Sequence, residues 1–178
     1  FKKDGLFYMV YVANENIGLA TSKSPLGPFK NKLKKKFSSE VKLIDPFIFN
    51  DNNKWYLYHT RRLNDGNEIY VVELSDNLNK FNEQTLTKCL SADKLWEDND
   101  GMNPRSVQGS SVVKYDGIYY LFYSANNFRS PNYAVGLAIS SSPLGPWIKS
   151  KQNPLIDRES IGENGPGHGD VFLDLKDK

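Results

Sequence analysis

SPLGPF at residues 24–29 returns almost unchanged as SPLGPW at residues 142–147. The flanks repeat with it. GLATSKSPLGPFK (Gly18–Lys30) matches GLAISSSPLGPWIK (Gly136–Lys149) at a constant offset of 118 as far as Pro28 and Pro146. Upstream, DGLFYMVY (Asp4–Tyr11) matches DGIYYLFY (Asp116–Tyr123) at an offset of 112. The six-residue difference is room for one surface loop around NNFRSPN. A third copy lies between them. NKWYLYH (Asn53–His59) carries the same aromatic pattern, with Tyr8, Tyr56 and Tyr120 aligned, and ELSDNLNKF (Glu73–Phe81) stands where the Ser-Pro turn would fall. A unit that recurs at this period is the mark of a repeat architecture.

Each unit is built from short runs such as FYMVYV, WYLYHT, YVVEL, SSVVKY, YYLFYS and AVGLAI. They are rich in β-branched and aromatic residues and are bounded by Gly, Asn, Asp and Pro. Asp4-Gly5 and Asp116-Gly117 supply hairpin turns, because glycine tolerates positive φ. No long stretch shows apolar residues at helical spacing. The unit therefore reads as strand A, hairpin, strand B, strand C, Ser-Pro turn, strand D, which is a propeller blade. Residues 1–37 provide strands B–D of one blade, 41–90 and 106–157 two whole blades, and 165–178 the first strand of another. All of this forms one incomplete, all-β domain over 1–178. Fewer than three blades cannot close a ring of about four to eight. The open fan leaves strand edges exposed, so missing blades or self-association are expected.

Composition narrows the function. The formal net charge is +2, which implies no polyanion partner. The basic run KNKLKKK (Lys30–Lys36) lacks interleaved aromatics and reads as a solvated face rather than a nucleic-acid site. The single Cys89 makes no internal disulfide. No apolar run is long enough to span a membrane, and no signal peptide is visible.

The innermost strand of each blade lines the channel, and its first residues converge on the channel mouth. Three such starts are visible: LIDPFIF (Leu43–Phe49), VQGSSVV (Val107–Val113) and GPGHGDVF (Gly165–Phe172). Their polar residues are Asp45, Gln108 and His168. By themselves these admit ordinary readings. Asp45 before Pro46 suits a turn, Gln108 could be an exposed amide at a strand end, and His168 a surface residue in a glycine-rich turn. His59, inside a strand of the middle blade, reads as a packed histidine. WEDNDGMN (Trp96–Asn103) misses the calcium-loop spacing. Trp96 either stacks on a sugar ring, which offers an apolar C–H face, or is buried between blades.

In order along the whole chain, IDPFIF, QGSSVVKYDGIYYLFYSAN, YAVGLAISSSPLGPW and GPGHGDVF resemble family 43 of the glycoside hydrolases. The resemblance implies a five-bladed propeller with its active site at the channel mouth. It implies exo-acting removal of arabinofuranosyl or xylosyl units from plant polysaccharides, with inversion. The family pattern has three carboxylates: a base in a blade that is absent here, an Asp that tunes the acid, and a Glu general acid in an E-G-P motif. Carried over by position, Asp45 is the tuning residue and Gln108 occupies the acid position, with Ser110 where the family has proline. His168 matches the channel histidine, a substrate contact and a tentative metal ligand. No cofactor is required, although a structural calcium in the channel is one the resemblance suggests. A glutamine amide cannot supply a proton, so the chain as it stands is expected to be inactive. The alternative is a catalytically inactive glycan-binding propeller, and a protein-binding scaffold ranks below both. The partner is an oligosaccharide or polysaccharide. The location is secreted or periplasmic, with the cytoplasm as alternative.

Overall fold

The computed structural model describes residues 1–33, 37, 39–101 and 105–172. The strands fall into three successive antiparallel fans. The first runs β1 (Lys2–Lys3), β2 (Leu6–Ala13), β3 (Asn16–Ser22) and β4 (Lys30–Asn31). The second runs β5 (Lys42–Asp51), β6 (Lys54–Leu63), β7 (Gly66–Leu74) and β8 (Phe81–Leu90), and the third β9 (Arg105–Tyr115), β10 (Ile118–Ala125), β11 (Ala134–Ser140) and β12 (Ile148–Lys149). A single 3-10 turn, Leu95–Asp98, lies between the second and third fans, and a four-residue helix α1 (Arg158–Ile161) follows the third. This is a fan of three propeller blades, each a four-stranded meander with its first strand innermost.

Local chemistry explains the meander. Asp4 and Gly5, like Asp116 and Gly117, both hold positive φ (48° and 77°; 47° and 77°), the two-residue turn whose twist suits an antiparallel pair. In both SPLGP turns the backbone closes from Gly27 N to Ser24 O (3.1 Å) and from Gly145 N to Ser142 O (3.0 Å). The repeat begins earlier than the sequence suggests, since Lys2–Lys3 pairs with β2 and adds the end of an innermost strand. Residues 165–178 are the opposite case. No strand forms over 165–172, because that backbone finds no ladder partner among the described residues, and 173–178 lie outside them. Lys34–Lys36 of the basic run and Met102–Asn103 of WEDNDGMN also lie outside the described residues.

The core is the two layers between blades. Tyr8, Ile17, Leu19, Leu43, Leu57, Val72 and Leu74 fill the first layer, between blades one and two. Tyr56, Tyr58, Val71, Val107, Leu121 and Tyr123 fill the second. The alternation of β6 and β7 feeds both layers, with Tyr56, Tyr58 and Val71 in one and Leu57 and Val72 in the other. His59 is buried in strand β6, near-parallel to the rings of Tyr70 and Phe81 at 6.4 and 6.3 Å. Burial pushes its pKa down to about 4, so it packs as a neutral ring. Cys89 is buried and free.

Candidate active site

Blades two and three are stitched at the channel mouth by a short parallel contact, Gly66 with Arg105 and Asn67 with Ser106. Gly66 sits at φ 138°, and a Cβ there would lie 2.3 Å from Arg105 O. Only glycine allows so close an approach. The contact delivers Asn67 to the start of β9, where its Nδ2 donates to Ser106 Oγ (3.0 Å) and to Gln108 Oε1 (3.3 Å).

The two innermost strands bend at the mouth by the same device. The register of β5 on β6 slips by one residue between Ile44 and Phe47, opposite Thr60 and Tyr58. That of β9 on β10 slips between Gln108 and Ser111, opposite Ser124 and Phe122. Each is a one-residue bulge. The bulged residue holds positive φ in both: Asp45 at 50° and Gly109 at 64°. His168 repeats the conformation at 52° although its segment forms no strand. Its backbone N–H donates to Ser124 Oγ (2.8 Å), and Asp170 accepts from Ser111 Oγ. Three successive mouths thus present Asp45, Gln108 and His168 to one place. Non-glycine residues seldom hold positive φ and cluster where function needs them.

These three side chains line a cleft of about 730 Å³ together with Asn67, Arg105, Asn126, Phe128 and Tyr133. That volume lies in the range of small-ligand sites. A second cavity of about 320 Å³, which Asp45 and His168 also line, continues along the channel past Tyr11, Ser110 and Asp170. Thr60 Oγ1 donates to Asp45 Oδ2 at 3.2 Å. Gln108 is held at both ends, with Nε2 donating to Tyr133 Oη at 3.0 Å and Oε1 accepting from Asn67. Burial pushes the Tyr133 phenol above its ordinary value. Hydrogen bonds to Gln108 and Ser124 offset part of the rise, and nearby Asp45 adds to it. Gly109 packs on the His168 imidazole, which lies 3.1 Å from where a Cβ would stand.

Trp96 is not among the residues that line this cleft. Its indole packs on Tyr123 (centroids 5.9 Å apart) and over Gly136 in the layer between blades. The Leu95–Asp98 turn buries Glu97 and leaves Leu95 outside, with Trp96 partly buried against the core. His168 lacks the companions of a metal site. Among the described residues no group of three or more His, Cys, Asp or Glu side chains could hold an ion, whereas calcium takes six to eight oxygens. The described side chains around His168 therefore do not by themselves make up a calcium site.

Five of these lining residues were not legible as such. Tyr133, Asn126 and Phe128 lie on or beside NNFRSPN, the loop that holds the six extra residues of one repeat over the other, Asn67 follows the Asp65-Gly66 turn, and Arg105 opens β9. The excess was the available signal, since added length in a repeat marks a loop that serves something else.

The fold is that of a propeller fragment with a cleft at its channel mouth, and comparison with known proteins shows its family. The description "Glycosyl hydrolases family 43" matches residues 1–178. The chain belongs to that family. It is similar to a solved endo-1,4-β-xylanase of Bacteroides thetaiotaomicron, at 38% identity and a TM-score of 0.88, covering 99% of this chain and 60% of that one. It is 30% identical over 121 residues to glucosamine inositolphosphorylceramide transferase 1 of Oryza sativa subsp. indica, covering 66% of this chain and 16% of the relative. It is 24% identical to a β-D-galactofuranosidase of Aspergillus niger, covering 93% of this chain and 46% of the relative. The chain thus spans 60% or less of the length of each. Among the described residues no helix is long and apolar enough to cross a membrane.

Proposed function

We propose that this chain is the acid-side part of an inverting, exo-acting glycosidase for arabinofuranosyl or xylosyl linkages of plant polysaccharides, with glutamine at the general-acid position. The observation that supports it is the convergence of Asp45, Gln108 and His168 from three successive blade mouths into one cleft. Inversion requires an acid that protonates the leaving oxygen and a base that activates water on the opposite face of the sugar, about 6.5–9.5 Å apart. On this reading position 108 faces the leaving oxygen. Asp45, held by Thr60, tunes and orients the group there. His168 contacts substrate, and the base belongs to a blade beyond this chain. A polymeric substrate fits an enzyme that meets it outside the cytoplasm.

Gln108 keeps the shape of a glutamate and withholds its proton. Its amide already donates to Tyr133 and accepts from Asn67. The fitted amide also supports a second reading, a glycan-binding propeller that has given up catalysis. The two separate on one substitution. In the full-length protein Gln108→Glu is expected to raise hydrolysis about 10²–10⁴-fold. The gain should be largest on an unactivated arabino- or xylo-oligosaccharide and smallest on 4-nitrophenyl α-L-arabinofuranoside or β-D-xyloside, whose leaving group needs little protonation. No activity from either form, with calorimetric binding of the same oligosaccharides, selects the glycan-binding reading. Full activity with Gln108 in place puts the acid elsewhere.

A further inference from the structure

Blades one and three share a register, and they differ at one hairpin. In blade one Ala13 pairs with Asn16 across a two-residue turn, Asn14-Glu15. In blade three Ala125 pairs with Ala134, and residues 126–133 lie between them. The extra residues are held by their own polar groups. The buried Asn126 side chain donates to Trp96 O (2.8 Å) and Asn132 O (3.0 Å) and accepts from Asn99 N (2.7 Å). Asn127 closes a turn by accepting from Ser130 N (2.8 Å) at its carbonyl and from Arg129 N (3.0 Å) at Oδ1. Asn132 Nδ2 donates to Asp100 Oδ1 at 2.8 Å, fastening the far side of the loop.

Phe128 stands at the tip of that turn and lines the cleft that holds Gln108 and Asp45, yet it is 64% exposed. A single exposed phenyl needs no explanation by itself. This one is carried by a fixed loop, and the Arg129 guanidinium lies 5.1 Å from its centroid. The guanidinium takes up one part of the ring's surface by a cation–π contact, and most of the residue remains open to solvent. The loop also ends in Tyr133, whose hydroxyl accepts from Gln108. It therefore belongs to the side of the cleft where position 108 would face the leaving oxygen.

We propose that Phe128 is the stacking platform for the sugar ring on the leaving-group side of the scissile bond, and so sets which oligosaccharides the cleft retains. The proposal rests on the glycan-acting reading above. A pyranose or furanose ring offers an apolar C–H face to an aromatic ring while its hydroxyls stay available to Asn127 and Arg105 at the cleft wall.

The test is calorimetry on the full-length protein with Gln108 in place, using arabinotriose and xylotriose against L-arabinose and D-xylose. Phe128→Ala is expected to weaken the preferred triose about tenfold and to leave the monosaccharide and the thermal midpoint unchanged. Phe128→Trp should retain the triose. Unchanged triose affinity in Phe128→Ala, or equal losses for triose and monosaccharide, overturns the platform and spares the glycan-acting reading. Failure of the unsubstituted protein to bind any of the four sugars overturns both.

Discussion

Blades one and three carry the same repeat, and the structure uses it in two ways. Asn31 on β4 and Lys149 on β12 hold equivalent places, opposite Ala20 and Ala138. Beside them Tyr11 and Tyr123 lie under Gly18 and Gly136, where a Cβ would stand 2.3 and 2.6 Å from the tyrosine Cζ. In blade one the arrangement ends at the surface, with Tyr11 Oη donating to Asn31 Oδ1 at 2.6 Å. In blade three it is enclosed. Tyr123 Oη donates to Glu97 Oε1 at 2.7 Å, and Glu97 is fully buried. Lys149 Nζ donates to Glu97 (2.7 Å), Asp93 (2.6 Å) and Ser91 O (2.6 Å), which uses all of its protons. The backbone N–H groups of Asp93 and Lys94 complete the carboxylate at 2.8 and 2.9 Å. The same holds for the two Ser-Pro turns. Leu144 and Trp147 pack on the core between blades, and Tyr58 Oη donates to Pro143 O, whereas Leu26 is almost wholly exposed. A blade's outer elements are therefore closed by the blade and linker that precede it. Here the linker carrying Glu97 leads directly into β9 and the candidate site.

The largest expected effect breaks that enclosure. Lys149→Met leaves the Glu97 carboxylate buried without its cation, and removing one partner of a buried pair costs about 3–5 kcal/mol. Denaturant unfolding measures it, and a double variant with Glu97→Gln should recover part of the loss, since the remaining buried group is then neutral. A cost within the range of an ordinary surface substitution would mean that the pair is not enclosed in solution.

The repeat and the all-β meander were legible because period-2 patterning and turn residues are local. Asp45 and Gln108 were singled out because each stands near the start of an innermost strand, whereas His168 was singled out as the start of a strand that does not form. What was not legible depends on contact between segments distant in sequence. Glu97 looked like part of an acidic loop, and only the approach of Lys149 makes it a core residue. The packing of Trp96 on Tyr123 and over Gly136 likewise joins segments distant in sequence. The Asn67–Gln108 contact needs Gly66 to touch Arg105, which no local pattern announces. The bulges escaped notice as well, because a positive φ at Asp45 leaves no mark in composition.

A middle-sized effect sharpens the comparison. Gly136→Ala places a methyl against both Tyr123 and Trp96, the latter 2.8 Å from the new Cβ. Both rings are confined by the layer between blades, so overpacking should cost about 1–3 kcal/mol. Gly18→Ala meets Tyr11 alone, and that ring borders solvent and can turn aside. It should cost less than Gly136→Ala in the same denaturant series. Equal costs would show that the glycine serves the strand pairing itself rather than the enclosed layer.

The smallest effect is the most discriminating. Asn31→Ala removes one exposed hydrogen bond, from Tyr11, and should stay within about 0.5 kcal/mol in this chain. Two causes would explain so small a cost: the residue is Asn rather than Lys, or nothing here packs over it from before β1. A longer chain with a blade ahead of β1 separates them. If position is the cause, Asn31→Ala becomes markedly more costly there, because Tyr11 and Asn31 are then enclosed as Tyr123 and Lys149 are. If the cost stays within about 0.5 kcal/mol, the blades differ by their chemistry, and the buried ion pair is peculiar to the blade that carries position 108.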